Sequence, residues 1–269
     1  MARTRRRKRP QGWLPKQHGA WFMLSLPVIT GVILRGRDAA LAWYLLPLAA
    51  CWVVGYLAFN AATVWLRSAP ARRHAQTPPV LVYASISLVF GLLAVAFAGL
   101  PLLTWVVPFV PLILPALWLA ARRKDRTLLS GALTTTAASL MVPVVRFDTP
   151  AALLDVWATP PAAHALLAVL VVFGYLFGTV FHVKGMIRER GKPAWFYASV
   201  GWHAAMTLVT ALLAATGPLS AIWTLFFTLT TARAWILPWI AGRRTIRPIV
   251  IGVTEIVLTA LFVVFFAAS

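Results

Sequence analysis

From about residue 18 onward the chain is almost continuous apolar sequence, parted every twenty-odd residues by a short cationic, glycine-bearing or proline-bearing turn. A run of about 20 apolar residues is the length that crosses a bilayer's hydrocarbon core. Inside lipid, backbone N–H and C=O groups must be paired within the segment, so such runs are expected as helices. Nine segments meet or approach that length, near residues 18–34, 39–66, 79–100, 101–121, 128–145, 162–187, 193–215, 218–241 and 246–268. The expected fold class is an all-α membrane protein, a bundle of about nine transmembrane helices. It is expected to divide into a basic cytoplasmic tail over 1–17 and a polytopic transmembrane domain over 18–269. With 61% hydrophobic and 12% charged residues, an ordinary soluble domain is excluded.

The formal charge of +19 would suggest nucleic acid in a soluble protein. Here the cations gather in short segments between apolar runs, which is the pattern of positive cytoplasmic loops, so nucleic acid is not expected as a partner. One alternation satisfies every segment. The amino terminus, Arg67–His74, Arg122–Arg126, Lys184–Lys192 and Arg243–Arg247 fall on the cytoplasmic side. The outer connections are RGRDA, GLP, RFDTPAALLDVWATPP and TGPLS, which hold three of the six acidic residues. The expected location is therefore the bacterial cytoplasmic membrane, with the amino terminus inside and the carboxyl terminus outside. The opening ARTRRRKRP reads as a retained tail attracted to anionic lipid, at roughly 1 kcal/mol per cation near the surface, or as a topology determinant alone. In the loop Arg146–Pro161, Leu153, Leu154 and Trp157 suggest an interfacial helix or cap, or a plain connector. The single cysteine, Cys51, leaves no disulfide or cysteine metal site within one chain.

Ionisable groups inside a span need a partner, an aqueous face or a route to the headgroups. Arg233 and Glu255 lie at similar depths on consecutive antiparallel spans, so they are expected to form a structural ion pair or to bind a ligand. Asn60 and Arg67 share a face at i, i+7, and Lys184 shares one with Arg188 at i, i+4. Arg188, Arg190 and Lys192 suffice to anchor their helix, so Lys184, a turn deeper, is surplus to anchoring. His182 sits nearby but displaced, and Glu189 is available to a cation of an adjacent loop. His203 reads as hydrogen-bonded packing, and Thr134, Thr135, Thr136 and Ser139 as helix-bonding hydroxyls. No dedicated metal site and no cofactor are expected. Glycine-rich phosphate loops, nucleophile elbows and carboxylate pairs at helical spacing are absent from the sequence.

The first span, PKQHGAWFMLSLPVITGVIL from Pro15 to Leu34, resembles the YwiC-like family of bacterial integral membrane proteins through Lys16, His18, Gly19, Ala20, Trp21 and Pro27. The later VKGMIRER is similar to a second block of that family. A more distant resemblance is to the UbiA superfamily of intramembrane prenyltransferases, which implies a nine-helix bundle with Mg²⁺-binding aspartates closing the second and sixth spans. The second-span counterpart is NAATVWLRSAPARR, where Asn60 and Arg72 or Arg73 match but Ala61, Val64 and Ser68 replace the acids. In the sixth-span counterpart, VKGMIRERG, Lys184 and Arg188 take the spacing of the acidic pair.

The resemblance with its acids lost implies an anion site without Mg²⁺-dependent prenyl transfer, because a Lys and Arg cluster binds an anion directly. The leading expectation is that membrane lipids surround a UbiA-like bundle whose basic cytoplasmic cavity binds an anionic amphiphile: an isoprenoid phosphate, a lipid or a quinone-related molecule. Its binding residues would be Lys16, His18, Asn60, Arg67, Arg72, His182, Lys184 and Arg188, with His18 and His182 the neutral acid–base groups near the mouth. Two alternatives stay open. One is a transporter of an anion or lipid, which helices broken at Pro108, Pro111 and Pro115 would favour. The other is a non-catalytic assembly partner whose cations serve only topology.

Overall fold

A computed structural model describes residues 12–15, 20–37, 39–244 and 246–269. The described residues form helices and connecting turns, with no strand among them. In chain order the helices are α1 (Ala20–Gly36), α2 (Leu45–Arg67), the one-turn α3 (Pro70–Arg73), α4 (Thr77–Ala98), α5 (Val106–Ala121), α6 (Leu128–Ser139), α7 (Met141–Arg146), α8 (Pro150–Asp155), α9 (Pro160–Val183), α10 (Pro193–Ala215), α11 (Ile222–Arg243) and α12 (Pro248–Ala268). Proline opens α3, α4, α8, α9, α10 and α12, where its missing N–H is one that the first turn leaves unpaired anyway.

Among the described residues, seven helical stretches are long and apolar enough to cross a membrane: α2, α3 to α4, the stretch Leu100–Ala121, α6 with α7, α9 with the turn after it, α10 and α12. Two of the nine expected spans fall short. Helix α1 has 17 residues, about 25 Å at 1.5 Å per residue against a hydrocarbon core of about 30 Å. Helix α11 is long enough at 22 residues, but Thr224, Thr228, Thr230, Thr231 and Arg233 dilute its apolar character. Helix α5 runs unbroken through Pro111 and Pro115, so the broken-helix argument for transport loses its structural basis. Helix α9 instead ends in a π-helical turn, Lys184–Arg188, closed by the bond from the Glu189 N–H to the Lys184 carbonyl at 2.9 Å.

The helices run between two ends of opposite character. The basic end carries the last residues of α2, α9 and α11 with the turns 122–127 and 184–192. There Arg190 Nη2 donates to the Ala241 carbonyl at 2.9 Å, fixing the α9–α10 turn to α11. Glu189, bonded by Lys192 at 2.7 Å, is held by that bond below the ordinary carboxylate range. At the opposite end Arg35 joins α1 to the residues after α7. It donates to Asp148 Oδ1 at 2.9 Å, to the Tyr44 hydroxyl at 2.9 Å and to the Ala40 carbonyl at 3.0 Å, while Tyr44 donates to the same carboxylate at 2.6 Å. Burial alone would push the Asp148 carboxyl up, but the bonds from Tyr44 and Arg35 and the Arg35 charge outweigh it and hold the group low. Burial and then Asp148 push the Tyr44 hydroxyl up.

Beyond Asp148 the long loop contains α8, whose first turn is capped by Thr149 accepting from the Ala152 N–H at 3.0 Å. Leu153 packs on the core, whereas Leu154 and Trp157 are exposed. The buried centre lies among α1, α7, α9, α11 and α12, where Tyr175, Trp223, Phe226 and Phe262 pack edge-on or tilted and Phe266 stacks on Phe262; Trp223 and Phe262 are 4.8 Å apart. Half of the central window of α9 is buried, against 6% of that of α4. Thus α9 is the more inner helix and α4 a peripheral one, and a polar side chain on the buried face of α9 must find its partners inside the protein.

Candidate functional site

Two polar clusters interrupt this apolar frame. The first is at the basic end, where the loop 122–127 lies between the ends of α2 and α9. Arg67 Nη1 binds Asp125 Oδ2 at 2.9 Å. Lys184 Nζ donates to the Arg126 carbonyl at 2.9 Å and sits 4.3 Å above the centre of the Trp195 ring. Arg188 is exposed and within electrostatic reach of both Arg126 and Asp125. The structure therefore brings Arg67, Lys184 and Arg188 to one loop. Arg72 is exposed on α3 and its side chain bonds to none of the described residues, while its neighbour Arg73 folds back over Trp65 and donates to the Leu66 and Ser68 carbonyls. Asn60 is half-buried two turns before Arg67, and its side chain bonds to none of the described residues. Lys16 and His18 lie outside the described residues.

His182 is not part of this cluster. It turns inward to a second one, built from α9 to α12 and buried in lipid-spanning sequence. Relative exposures are 1% for His182, 0% for His203, 3% for Ser199, 7% for Arg233 and 4% for Glu255. Arg233 Nη1 pairs with Glu255 Oε1, and Thr179 donates to Glu255 Oε2 at 2.9 Å, so both carboxylate oxygens are engaged. Arg233 Nη2 contacts His203 Nε2 at 2.9 Å, and His203 Nδ1 contacts the Ser199 carbonyl at 2.7 Å. A guanidinium only donates and a carbonyl only accepts, so His203 carries its proton on Nδ1 and accepts at Nε2: it is neutral. Tyr175 and Thr259 extend the network, their hydroxyls 2.9 Å apart and both directed at the Glu255 carbonyl.

Local sequence explains why these groups can meet. Glu255 and Thr259 share a face at i, i+4, as do Ser199 and His203. Gly178 lets His203 approach α9 closely: a Cβ there would stand 2.8 Å from His203 Nε2. The pair is internally neutral, which is the condition for keeping charge in this setting. Removing one partner of such a pair costs about 3–5 kcal/mol because the other charge is left uncompensated. Four buried polar atoms near it have no hydrogen-bond partner among the described residues: both ring nitrogens of His182, Ser199 Oγ and Arg233 Nε. Each buried polar group left unpaired costs about 1–3 kcal/mol.

Neither cluster lines either of two apolar grooves on the surface of the described residues. One, of about 520 Å³, lies between α10 and α11 and is lined by Ala204, Thr207, Leu208, Ala211, Thr228, Thr231 and Ala232. The other, of about 410 Å³, lies beside Thr104, Trp105, Pro108, Pro150, Leu153 and Leu154 at the opposite end. Among the described residues no three His, Cys, Asp or Glu side chains come together as a metal site. Sequence reasoning missed Asp125, Ser199, Thr179, Tyr175 and Thr259. Asp125 was detectable as the lone acid in a basic turn, whereas intrahelical hydroxyls and backbone carbonyls leave no distinctive pattern.

Residues 14–146, which include α1 to α7, match the family described as YwiC-like protein. A protein of Bacillus subtilis (strain 168), named "Uncharacterized protein YwiC", is 30% identical to this chain over 206 residues, covering 75% of this chain and 78% of that protein. No solved structure matches. With its helices in lipid contact, the chain is a multi-pass membrane protein, and it belongs to the YwiC-like family.

Proposed function

We propose that the protein binds an anionic amphiphile at its basic end, holding the headgroup against Arg126, Lys184 and Arg188, with Arg67 and the exposed Arg72 at the rim. The observation that carries this reading is the loop 122–127, in which the one carboxylate, Asp125, is paired with Arg67 while Arg188 lies within electrostatic reach of it and of Arg126, with Lys184 on the loop's own backbone. Arg guanidinium and Lys ammonium groups recognise phosphate-like oxygens directly, so no divalent metal is required for binding. The positive-loop pattern supports a basic end facing the cytoplasm, an amino terminus inside and a carboxyl terminus outside, with α1 and α11 completing nine spans. The UbiA resemblance favours an isoprenoid phosphate among the candidate headgroups, and the loss of its acidic motifs speaks against prenyl transfer.

Lipid extraction of the purified protein tests this reading. A phosphorylated or otherwise anionic amphiphile should co-purify in excess over its share of the membrane, and a lipid profile equal to that of the bulk membrane would refute the proposal.

A further inference from the structure

The orphaned atoms of His182, Ser199 and Arg233 lie at one level of the bundle. Helices α9 and α10 run antiparallel with Gly178 against His203 and Gly185 against Trp195. His182 therefore comes level with Ser199, one turn from His203, and His182 is within electrostatic reach of both Arg233 and His203. A neutral imidazole offers one donor and one acceptor, the serine hydroxyl offers both, and Arg233 Nε offers a donor. No element packed on this spot supplies them: Thr179 is committed to Glu255, His203 to Ser199 and Arg233, and Glu255 to Arg233 and Thr179.

We propose that His182, Ser199 and Arg233 form an internal binding site for water, seated between the Arg233–Glu255 pair and the basic end. The charges decide the ligand class. Arg233 is already compensated by Glu255 and His203 is neutral, so a bound anion or cation would find no opposite charge in excess. Neutral molecules that both donate and accept suit every free atom, and water is the smallest; because the two ring nitrogens of His182 point to opposite sides of the ring, at least two waters are needed. The route to solvent is short, since His182 precedes Lys184 by two residues, about 3 Å of helix rise. The bound water solvates the open side of Arg233 and allows the ion pair to persist in lipid-spanning sequence. This inference stands independently of the amphiphile reading and needs no amphiphile for its test.

The test is solid-state NMR of the full chain in bilayers with ¹⁵N-labelled histidine, measuring polarisation transfer from water to each imidazole. His182 is assigned by the loss of its signal in His182→Gln or, should that variant not fold, by sequential assignment of the wild type. The expected result is transfer to the His182 ring close to that seen for exposed His74, while fully partnered His203 receives none. A His182 ring as silent as that of His203 overturns the proposal. Thermal unfolding of His182→Leu gives a second readout of opposite sign for the two cases. A hydrated site loses part of its network and the midpoint falls, whereas a dry site loses two unpaired nitrogens and the midpoint rises.

Discussion

Arg233 shows how a single side chain sets its own surroundings. In apolar sequence its charge is tolerable because Glu255 neutralises it and His203 accepts its second bond. Glu255→Gln should therefore destabilise the protein by about 3–5 kcal/mol, read as a lowered midpoint of thermal unfolding in detergent. Replacing both partners by leucine should recover much of that loss, because no charge is then left alone; a double variant as unstable as the single one would contradict this account. At the opposite end Asp148 makes a smaller and pH-dependent contribution. Its folded pKa lies below the ordinary 3.8, so its stabilisation is complete above that value and is lost as the pH falls through the lower, folded value. The side chain is 60% exposed, so solvent screening keeps the effect below about 1 kcal/mol. Asp148→Asn should lower the midpoint slightly at pH 6 and leave a smaller decline between pH 5 and pH 3 than the wild type shows. Equal declines in the two proteins would remove Asp148 from the account.

Pairs of elements depend on two glycines. At Gly178 a Cβ would stand 2.8 Å from His203 Nε2, and at Gly31 on α1 it would stand 2.7 Å from Val145 Cβ and 2.9 Å from the Val142 carbonyl on α7. Gly31 meets a branched side chain and backbone, which yield little, so Gly31→Ala should cost about 1–3 kcal/mol through forced separation of α1 from α7. Gly178→Ala should cost a similar amount and also shift the His203 ring resonances, because the ring must leave Arg233. Parallel thermal unfolding and histidine NMR of the two variants separate these effects, and an unshifted His203 spectrum in Gly178→Ala would exclude the close approach as its cause. At this scale sequence and structure agree unevenly. The helical runs were legible because lipid leaves the backbone no alternative, and helix-opening prolines marked several starts. The split of the fifth apolar run at Leu140 has a visible cause in Pro143, which cannot donate to the Ser139 carbonyl, whereas the π turn at Lys184–Arg188 carries no residue that forces it and was not legible. Nor was the inward turn of His182, because a displacement of two residues from Lys184 does not say which neighbour fills the space.

Across the whole molecule the division into a basic and an opposite end gives a topology that is directly testable. With Cys51 replaced by serine, a cysteine at Arg72 should react with an impermeant maleimide only from the cytoplasmic side, and one at Ser269 only from outside. Reaction of both from one side would require an even number of crossings between Arg72 and Ser269 and exclude α11 as a span. The sequence contained the cations of the basic end, since these follow from position along the chain. It did not contain the loop 122–127 as their meeting point, because that depends on how α2, α5, α6 and α9 pack. The proposed function depends on this meeting point. The most direct measurement is native mass spectrometry of the full chain with added isoprenoid phosphate, comparing the wild type with Lys184→Gln/Arg188→Gln. Insertion should be unaffected, since Arg190, Lys192 and the other basic turns remain. Each charge-assisted hydrogen bond to the headgroup is worth about 1.5–3 kcal/mol, so the account predicts that the double variant binds roughly a hundredfold or more weakly, and wild-type affinity in that variant would contradict it.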